Sequence, residues 1–359
     1  VSLPNYRDLI SGRSRGPLAS IGRGGLGIAS ALYGGVVRAR NRAYDAGLLR
    51  AHRAAVPVVS IGNVTAGGTG KTPVVAALVE WFTSRGVRPV ILSRGYRAHA
   101  GGINDEKLVL DRLCPGVPHL QGADRVATAR VACEQHGAQV LILDDAFQHR
   151  RLFRDLDLVL VDALDPWGGG RLLPRGLLRE PRSALRRAGA VILTRADQCP
   201  PADKARLIGE IRSFGRDEPP IEAVFRPVGL ENSAGAHAAI DSLDPVVAFC
   251  GIGNPDGFRR TLIDAGITQI AAFRAFRDHH HYTEADLADL AQWAIEHRAT
   301  AFVTTQKDLV KIPRERLGDL PLWAVSIRAE FTAGEERLAA LLQDLVSRIS
   351  APNLSRFHE

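Results

Sequence analysis

The most constraining stretch of this 359-residue chain runs from an apolar segment, Val56–Ile61, through Gly62-Asn63-Val64-Thr65-Ala66-Gly67-Gly68-Thr69-Gly70-Lys71-Thr72 into a helical pattern over Pro73–Phe82. A strand that turns through glycines into a helix opening on Lys-Thr has few ways to fold. Glycines at 67, 68 and 70 let the backbone curl with its N–H groups pointing inward, and the helix start adds partial positive charge. The product is a cradle for phosphate oxygens at the carboxyl end of a sheet strand. Thr65, Ala66, Gly67, Gly68, Thr69, Gly70, Lys71 and Thr72 are therefore expected to line a nucleotide's phosphates. Lys71 would reach the β- and γ-phosphates, and the Thr72 hydroxyl would bind Mg2+. The pattern G-x-x-x-x-G-K-[ST] asks for glycine at 65, where this chain has Thr65. Ala66 stands where ATPases that reach a lysine into a partner's site carry that lysine, which argues against the partitioning-ATPase class.

Around this motif the chain reads as α/β. Short β-branched runs at Pro89–Leu92, Val140–Leu143, Leu158–Val161 and Ala190–Leu193 alternate with segments of helical periodicity. Runs that are apolar throughout suit a mainly parallel sheet covered by helices on both faces, a P-loop NTPase-type α/β/α domain. Residues 219 to 239 turn irregular, with Pro219, Pro220, Pro227 and a small-residue stretch. The expected division is a basic N-terminal segment over 1–55, a P-loop domain over 56–220, a linker over 221–240 and a smaller α/β domain over 241–359. That last domain should hold strands at Val246–Cys250 and Ala301–Thr304, a helix near Ala285–His297 and a terminal helix around Glu335–Ile349.

The N-terminal segment concentrates the basic charge: Arg13, Arg15, Arg23, Arg38, Arg40, Arg42, Arg50 and Arg53 face only Asp8 and Asp45. Leu18, Ile21, Leu26, Ile28, Leu32, Tyr33, Val36 and Val37 lie between them. Such a helix either rests on lipid headgroups with its arginines toward anionic phosphates, or docks on the protein's own core. Gly22-Arg23-Gly24-Gly25-Leu26-Gly27 fits G-x-G-x-x-G formally, but Arg15-Gly16-Pro17 upstream is a poor strand end, so the match is read as chance. The whole-chain charge of +7 favours acidic partners without choosing among them. No apolar run approaches the ~20 residues that cross a bilayer. Cys114, Cys133, Cys199 and Cys250 are scattered and are read as reduced thiols.

A P-loop enzyme needs a carboxylate at a neighbouring strand end for its magnesium shell, and Val140-Leu141-Ile142-Leu143-Asp144-Asp145 offers two. Adjacent residues point to opposite faces, so one aspartate should face the metal and the other cap the turn; which does which stays open. Transfer to an alcohol also needs a group to accept the hydroxyl proton. Asn104-Asp105-Glu106 follows the second strand and the turn Ser93–Arg97, where loops overhang a nucleotide site. The tract Asp278-His279-His280-His281-Tyr282 can supply a histidine that orients such a base, or, as a less favoured reading, a metal site. Two other classes compete. Thr194-Arg195-Ala196-Asp197 partly mimics the N-K-x-D guanine tetrad of GTPases and metallochaperone-type NTPases. A non-enzymatic basic module for membranes or nucleic acid is disfavoured because the chain has only 6% aromatics and no RNA-type aromatic platform.

Taken together, Val58–Asn63 through Thr72-Pro73, Leu92-Ser93-Arg94-Gly95-Tyr96, Leu143–Arg150, Leu173-Pro174 with Leu178-Arg179-Glu180-Pro181, Gly251-Ile252-Gly253-Asn254-Pro255 and Asp278-His279-His280 resemble the tetraacyldisaccharide 4'-kinase (lipid A 4'-kinase) family. The ordered matches run from about residue 55 to 312. The resemblance implies ATP- and Mg2+-dependent phosphorylation of the 4'-hydroxyl of a tetraacylated glucosamine disaccharide 1-phosphate, a lipid A precursor. It implies a peripheral enzyme on the cytoplasmic face of the inner membrane, with an anionic membrane surface as partner, and no nucleic acid or obligate protein partner is expected. It also implies catalytic roles for Lys71, Asp105 as base and His279 as its pair, and metal contacts for Thr72, Asp144 and Asp145. Glu106, Arg125, His149, Arg179 and Glu180 fall in further blocks of the family's cleft. Asn104-Asp105-Glu106-Lys107 stands where the family commonly reads Gly-Asp-Glu-Pro, and Ala146 where glycine is usual.

Overall fold

The computed structural model describes residues 6–95, 104–215, 217–240, 243 and 245–350, so Tyr96 and Arg97 of the expected turn lie outside the described residues. In chain order the first half holds α1 (Tyr6–Ser11), α2 (Pro17–Asp45), β1 (Val58–Asn63), α3 (Lys71–Thr83), β2 (Pro89–Ser93), α4 (Asp105–Leu113), β3 (His119–Gln121), α5 (Arg125–His136), β4 (Val140–Asp144) and β5 (Leu156–Asp162). The rest holds β6 (Ala190–Thr194), α6 (Pro201–Ser213), β7 (Ile221–Glu231), β8 (His237–Ala238), β9 (Val246–Cys250), α7 (Pro255–Asp264), β10 (Ile270–Ala275), α8 (Glu284–Glu296), β11 (Ala301–Thr305), α9 (Gln306–Leu309), β12 (Arg316–Leu317), β13 (Leu320–Ala333) and α10 (Glu335–Ser350). They form two compact units.

In the first unit, strands run in the order β7-β6-β5-β1-β4-β2-β3, each neighbouring pair parallel. Every residue of β1, β2, β4 and β6 is buried, which is why these strands read as unbroken apolar runs. One cluster joins Val58, Val90, Leu92, Leu141 and Leu143 to Ala129 and Ala132 of α5. Another joins Val159, Val161, Val191 and Leu193 to Leu207 and Ile211 of α6. Beyond β1 the order climbs through β4 on one side and β5 on the other, so the gap at its carboxyl end is the topological switch point where such sheets hold ligands. Gly62 is required there, because a Cβ would sit 2.6 Å from the Phe147 backbone nitrogen and Cβ.

In the second unit, β10, β9, β11 and β13 form a parallel sheet in that order. Its core has two clusters: Val247, Phe249 and Phe302 with Leu290 and Trp293 of α8, and Val246, Ala248 and Val303 with Phe258 and Leu262 of α7.

The expected boundaries at 220 and 240 do not match the two units. Residues 221–231, expected as linker, form β7, whose Ile221, Ala223, Val224, Leu230 and Glu231 are buried. Pro227 and Gly229 gave that stretch a linker's composition while the alternation underneath was that of a strand. The second unit takes in α4, and the chain returns to the first unit after residue 330, so α10 belongs to the first. There Leu338, Leu342 and Leu345 are buried at helical spacing.

Helix α2 docks on the protein's own core along one face and leaves an apolar face exposed. One face docks: Ser30 Oγ donates to the Leu172 carbonyl (2.9 Å), Tyr33 OH to the Arg179 carbonyl (2.8 Å) and Asn41 Nδ2 to Glu180 (2.7 Å). Gly34 is buried against Leu172. The other presents Leu18, Ile21, Ile28, Leu32 and Val36, each 68–80% exposed. The Gly22–Gly27 stretch lies within this helix with no strand before it, so its dinucleotide pattern is coincidental. No helix among the described residues is long and apolar enough to cross a membrane.

Candidate active site

The β1–β4 register, with Ile61 opposite Asp144, brings the end of β4 beside the start of the glycine-rich loop. Gly67 and Gly70 take φ of 148° and 81°, the left-handed region where a side chain would be strained. Gly70 caps α3, so Lys71 and Thr72 open that helix. Thr65 is not among the residues with positive φ, and it is buried in a bridge to Leu178, so this position does not need the glycine of the usual pattern. Backbone bonds hold the loop's first half: Ala66 N–H to the Leu177 carbonyl (2.6 Å) and Arg179 N–H to the Val64 carbonyl (2.7 Å). Thr194 Oγ donates to the Thr69 carbonyl (3.0 Å) and Arg195 to the Gly68 carbonyl (3.1 Å), while Arg195 also pairs with Asp162. The Thr194-Arg195 dipeptide, weighed as part of a guanine tetrad, thus braces the phosphate loop.

Lys71 Nζ lies 3.2 Å from Asn63 Oδ1 and 3.4 Å from Asp145 Oδ1. Arg179 reaches both Asp145 oxygens, at 2.9 and 2.8 Å. Asp145 follows β4 with φ 51°, which turns its carboxylate toward these two cations. Burial opposes its ionisation, yet Lys71 and Arg179 outweigh burial and hold the carboxyl far below the usual range. Asp144, the last residue of β4, is buried, and its carbonyl accepts from the buried Arg125 (3.2 Å). Burial, followed by Arg125 and Arg154, lowers His149 to about 4, which leaves a neutral imidazole at pH 7. Glu180 is 1% exposed, and its carboxylate is engaged by Arg187 (2.8 Å at each oxygen) and Asn41. In the first unit, then, Lys71, Asp145 and Arg179 converge and Arg125 joins them through Asp144. Glu180 instead sits in a buried ion pair with Arg187, and Arg187 lies over the Phe147 ring at 3.6 Å.

In the second unit, Asn104 caps α4 by accepting from Lys107 N–H (2.9 Å), so asparagine serves well where the family has glycine. Asp105 opens that helix, 3% exposed, in the first turn where a negative charge is favoured. His279, at φ 60°, lies with Nδ1 3.3 Å from Asp105 Oδ2. The Asp105 contact outweighs burial and raises the proton affinity of His279. Burial works against ionisation of Glu106, but Lys307 at 3.2 Å keeps it below the usual carboxylate range. His280 bonds Asp286 (3.2 Å) and stacks on Phe276, and no group of three His, Cys, Asp or Glu able to hold a metal occurs among the described residues. Sequence reasoning missed Lys311, which lies 6% exposed between Asp105 (3.4 Å) and Asp308 (3.2 Å). It also missed Asn63 and Asp162 in the first unit; nothing in their spacing marks them.

The four cysteines are free thiols. Residues 25–347 match the family described as tetraacyldisaccharide-1-P 4'-kinase. The tetraacyldisaccharide 4'-kinase of Anaeromyxobacter sp. (strain Fw109-5) is 42% identical over 346 residues, covering 89% of this chain and 91% of that protein. That of Syntrophus aciditrophicus is 41% identical over 344 residues, covering 88% and 90%. Among solved structures, the Aquifex aeolicus enzyme of this family, described as an apo form in complex with ATP, superposes with a TM-score of 0.70 at 31% identity, covering 92% of this chain and 99% of that one. With a match along nearly its whole length and a strand order that seats the glycine-rich loop at the sheet's switch point, the chain belongs to the tetraacyldisaccharide 4'-kinase family.

Proposed function

We propose that this chain transfers the γ-phosphoryl group of ATP to the 4'-hydroxyl of a tetraacylated glucosamine disaccharide 1-phosphate, a lipid A precursor. Family membership supports the reaction, and one observation carries it onto these residues: Lys71, at the start of α3, faces an ionised Asp145 across the end of β1. A cation held beside a carboxylate at a phosphate loop is poised to exchange it for phosphate oxygens. The amides of Gly67–Gly70 cradle the phosphates, and Lys71 offsets charge on the transferring group. The acceptor oxygen bonds to the γ-phosphorus as the bond to the β–γ bridging oxygen breaks, and ADP leaves with that electron pair. Asp105 takes the hydroxyl proton, and His279 orients Asp105. Arg125, Arg179 and His149 serve the phosphate side in the first unit and Glu106 stands beside Asp105 in the second, with Arg179 and Glu106 held by their own ion pairs.

Thr72, Asp144 and Asp145 fit magnesium: they are hard oxygen donors at one strand end, and Mg2+ asks for only one or two carboxylates besides phosphate and water. Asp145 stays ionised, as a metal ligand must. When bound with the nucleotide, the ion neutralises phosphate charge.

The exposed face of α2 supports a peripheral place on the cytoplasmic side of the inner membrane. Its apolar stripe would sink to the headgroup boundary. Beside it Arg38, Arg42, Arg150, Arg186 and Arg187 line a hollow of about 250 Å³ with Asp45 the one acidic residue in the lining, a setting for lipid phosphates.

The test is an assay with ATP, Mg2+ and purified disaccharide 1-phosphate, with the product read by mass. Addition of one phosphate, abolished in Lys71→Ala, is expected. Turnover of nucleotide with no phosphorylated lipid would overturn the reading.

A further inference from the structure

The second unit buries a lysine that the phosphoryl-transfer scheme does not use. Lys311 Nζ lies 3.4 Å from Asp105 Oδ2, the same oxygen that His279 approaches, and 3.2 Å from Asp308 Oδ1. Lys311, Asp105 and Asp308 are 6%, 3% and 0% exposed. Asp308 is pinned: its Oδ2 accepts from Gly251 N–H (2.9 Å), just after β9, and from Thr305 Oγ (2.7 Å), the cap of α9. The turn after α9 closes through Lys311 N–H to the Asp308 carbonyl (3.0 Å), so the backbone beneath the ammonium is fixed as well. A lysine this buried needs compensating charge, and the pair of aspartates supplies it.

Among the described residues, the other charged or titratable groups near Asp105 and Lys311 are His279 with its neighbour Asp278, Glu106 paired with Lys307, and Tyr282, whose ring lies 6.0 Å from the Lys311 ammonium. Lys311 is distinct among these cations because it alone is buried and shared between two buried carboxylates. Lys307 is 36% exposed and engages Glu106.

We propose that Lys311 is a positioning residue for the acceptor chemistry: anchored on Asp308, it holds the Asp105 carboxylate anionic and fixed in direction, ready to take the sugar hydroxyl's proton. The proposal rests on the reading of Asp105 as the base. Electrostatics gives it a signed consequence. A cation beside a carboxylate lowers the pH at which that carboxylate ionises, by about 1–3 units at contact distance. Removing the cation must therefore move the acid limb of the pH–rate profile to higher pH. Removing Asp308, which draws part of the lysine's field away from Asp105, must move that limb the other way. A lysine that only supports the fold predicts neither shift.

The experiment uses the full chain and reads kcat, and KM for ATP and for the disaccharide, across about pH 5 to 9, with thermal melting alongside. Lys311→Met is expected to lower kcat about tenfold or more with KM for ATP within about twofold of the parent, as base positioning is worth part of the ~10²–10⁴-fold of general base catalysis. Its acid limb should move up by one unit or more. Lys311→Arg should restore the limb, and Asp308→Asn should shift it down. Should Lys311→Met melt too low to assay, the double variant Lys311→Met/Asp308→Asn removes one charge of each sign, leaves the net charge of the cluster unchanged, and must still show an upward shift, smaller than the lysine variant's because the lost carboxylate acts the other way. An acid limb unmoved in the lysine variants, with Asp105→Asn inactive, overturns the lysine's role and leaves the base in place. Asp105→Asn retaining most of kcat removes the base itself, a separate failure.

Discussion

The Glu180 carboxylate lies in a buried ion pair, so replacing it tests how the first unit is held together. Three hydrogen bonds converge on it: two from Arg187 at 2.8 Å each and one from Asn41 of α2 at 2.7 Å. The Glu180 side chain is 2% and that of Arg187 16% exposed, so Glu180→Ala strands a guanidinium that water cannot fully solvate. Deleting one partner of a buried pair costs about 3–5 kcal/mol, most of it the penalty on the charge left behind. The loss should be near the lower bound, because Arg187 keeps the Phe147 carbonyl (3.0 Å) and the Phe147 ring. A urea titration followed by circular dichroism reads this as a midpoint lowered by about 1–2 M, for a slope of about 2–3 kcal/mol/M. Glu180→Leu/Arg187→Met removes both charges at similar volume, and should recover most of the lost stability. A midpoint within about 0.3 M of the parent for Glu180→Ala, or a double variant as unstable as the single, would refute the reasoning.

Asp105→Asn should cost about 10²–10⁴-fold in kcat with ATP affinity little changed, measured by steady-state kinetics and nucleotide titration. His149 gains protons in the unfolded chain near its ordinary 6.5 but in the folded chain only at about 4. Between those values the unfolded state binds more protons, so folding stability falls as pH drops through the window, by up to a few kcal/mol (about 1.4 per unit of separation, less for partial exposure). His149→Gln should flatten that decline in denaturant titrations run from pH 7 to 4; an unchanged slope counts against it. Gly62→Ala should lower stability by about 1–3 kcal/mol, because the added methyl meets the Phe147 backbone, which cannot swing away. Ile21→Ser/Ile28→Ser/Leu32→Ser should release the protein from anionic vesicles in a flotation assay while the melting temperature holds, since all three side chains are exposed.

The strands and the phosphate loop were legible because each reports itself locally. A parallel strand covered on both faces has no polar side, so Val140–Leu143 and Val246–Cys250 read as apolar runs whatever surrounds them. The Lys71-Thr72 turn is likewise complete within a dozen residues. What escaped was everything that depends on where the chain comes back to. Arg179 meets Asp145 across 34 positions, and Lys311 meets Asp105 across more than 200, through contacts that no periodicity encodes. The return of α10 to the first unit and the loan of α4 to the second are of the same kind. The linker misreading had a different cause: proline and glycine were weighed above the buried strand residues Ile221, Ala223, Val224 and Leu230.

That division bears on the chemistry. The nucleotide loop and its strand-end aspartates follow from one parallel pairing, β1 with β4, which a sheet of this order imposes without help from any distant residue. The acceptor side has no such local guarantee. Asp105 is presented by the first turn of a nine-residue helix, His279 by a loop residue at φ 60°, and Lys311 by a turn after α9, three segments remote in sequence. Buried charges that must compensate one another can fix such an arrangement, since moving any one of them strands the others in a medium that penalises it. Charge balance thus does for Asp105, the proposed base, what strand register does for the glycine-rich loop, and substitutions that keep the balance should be tolerated where those that break it are not.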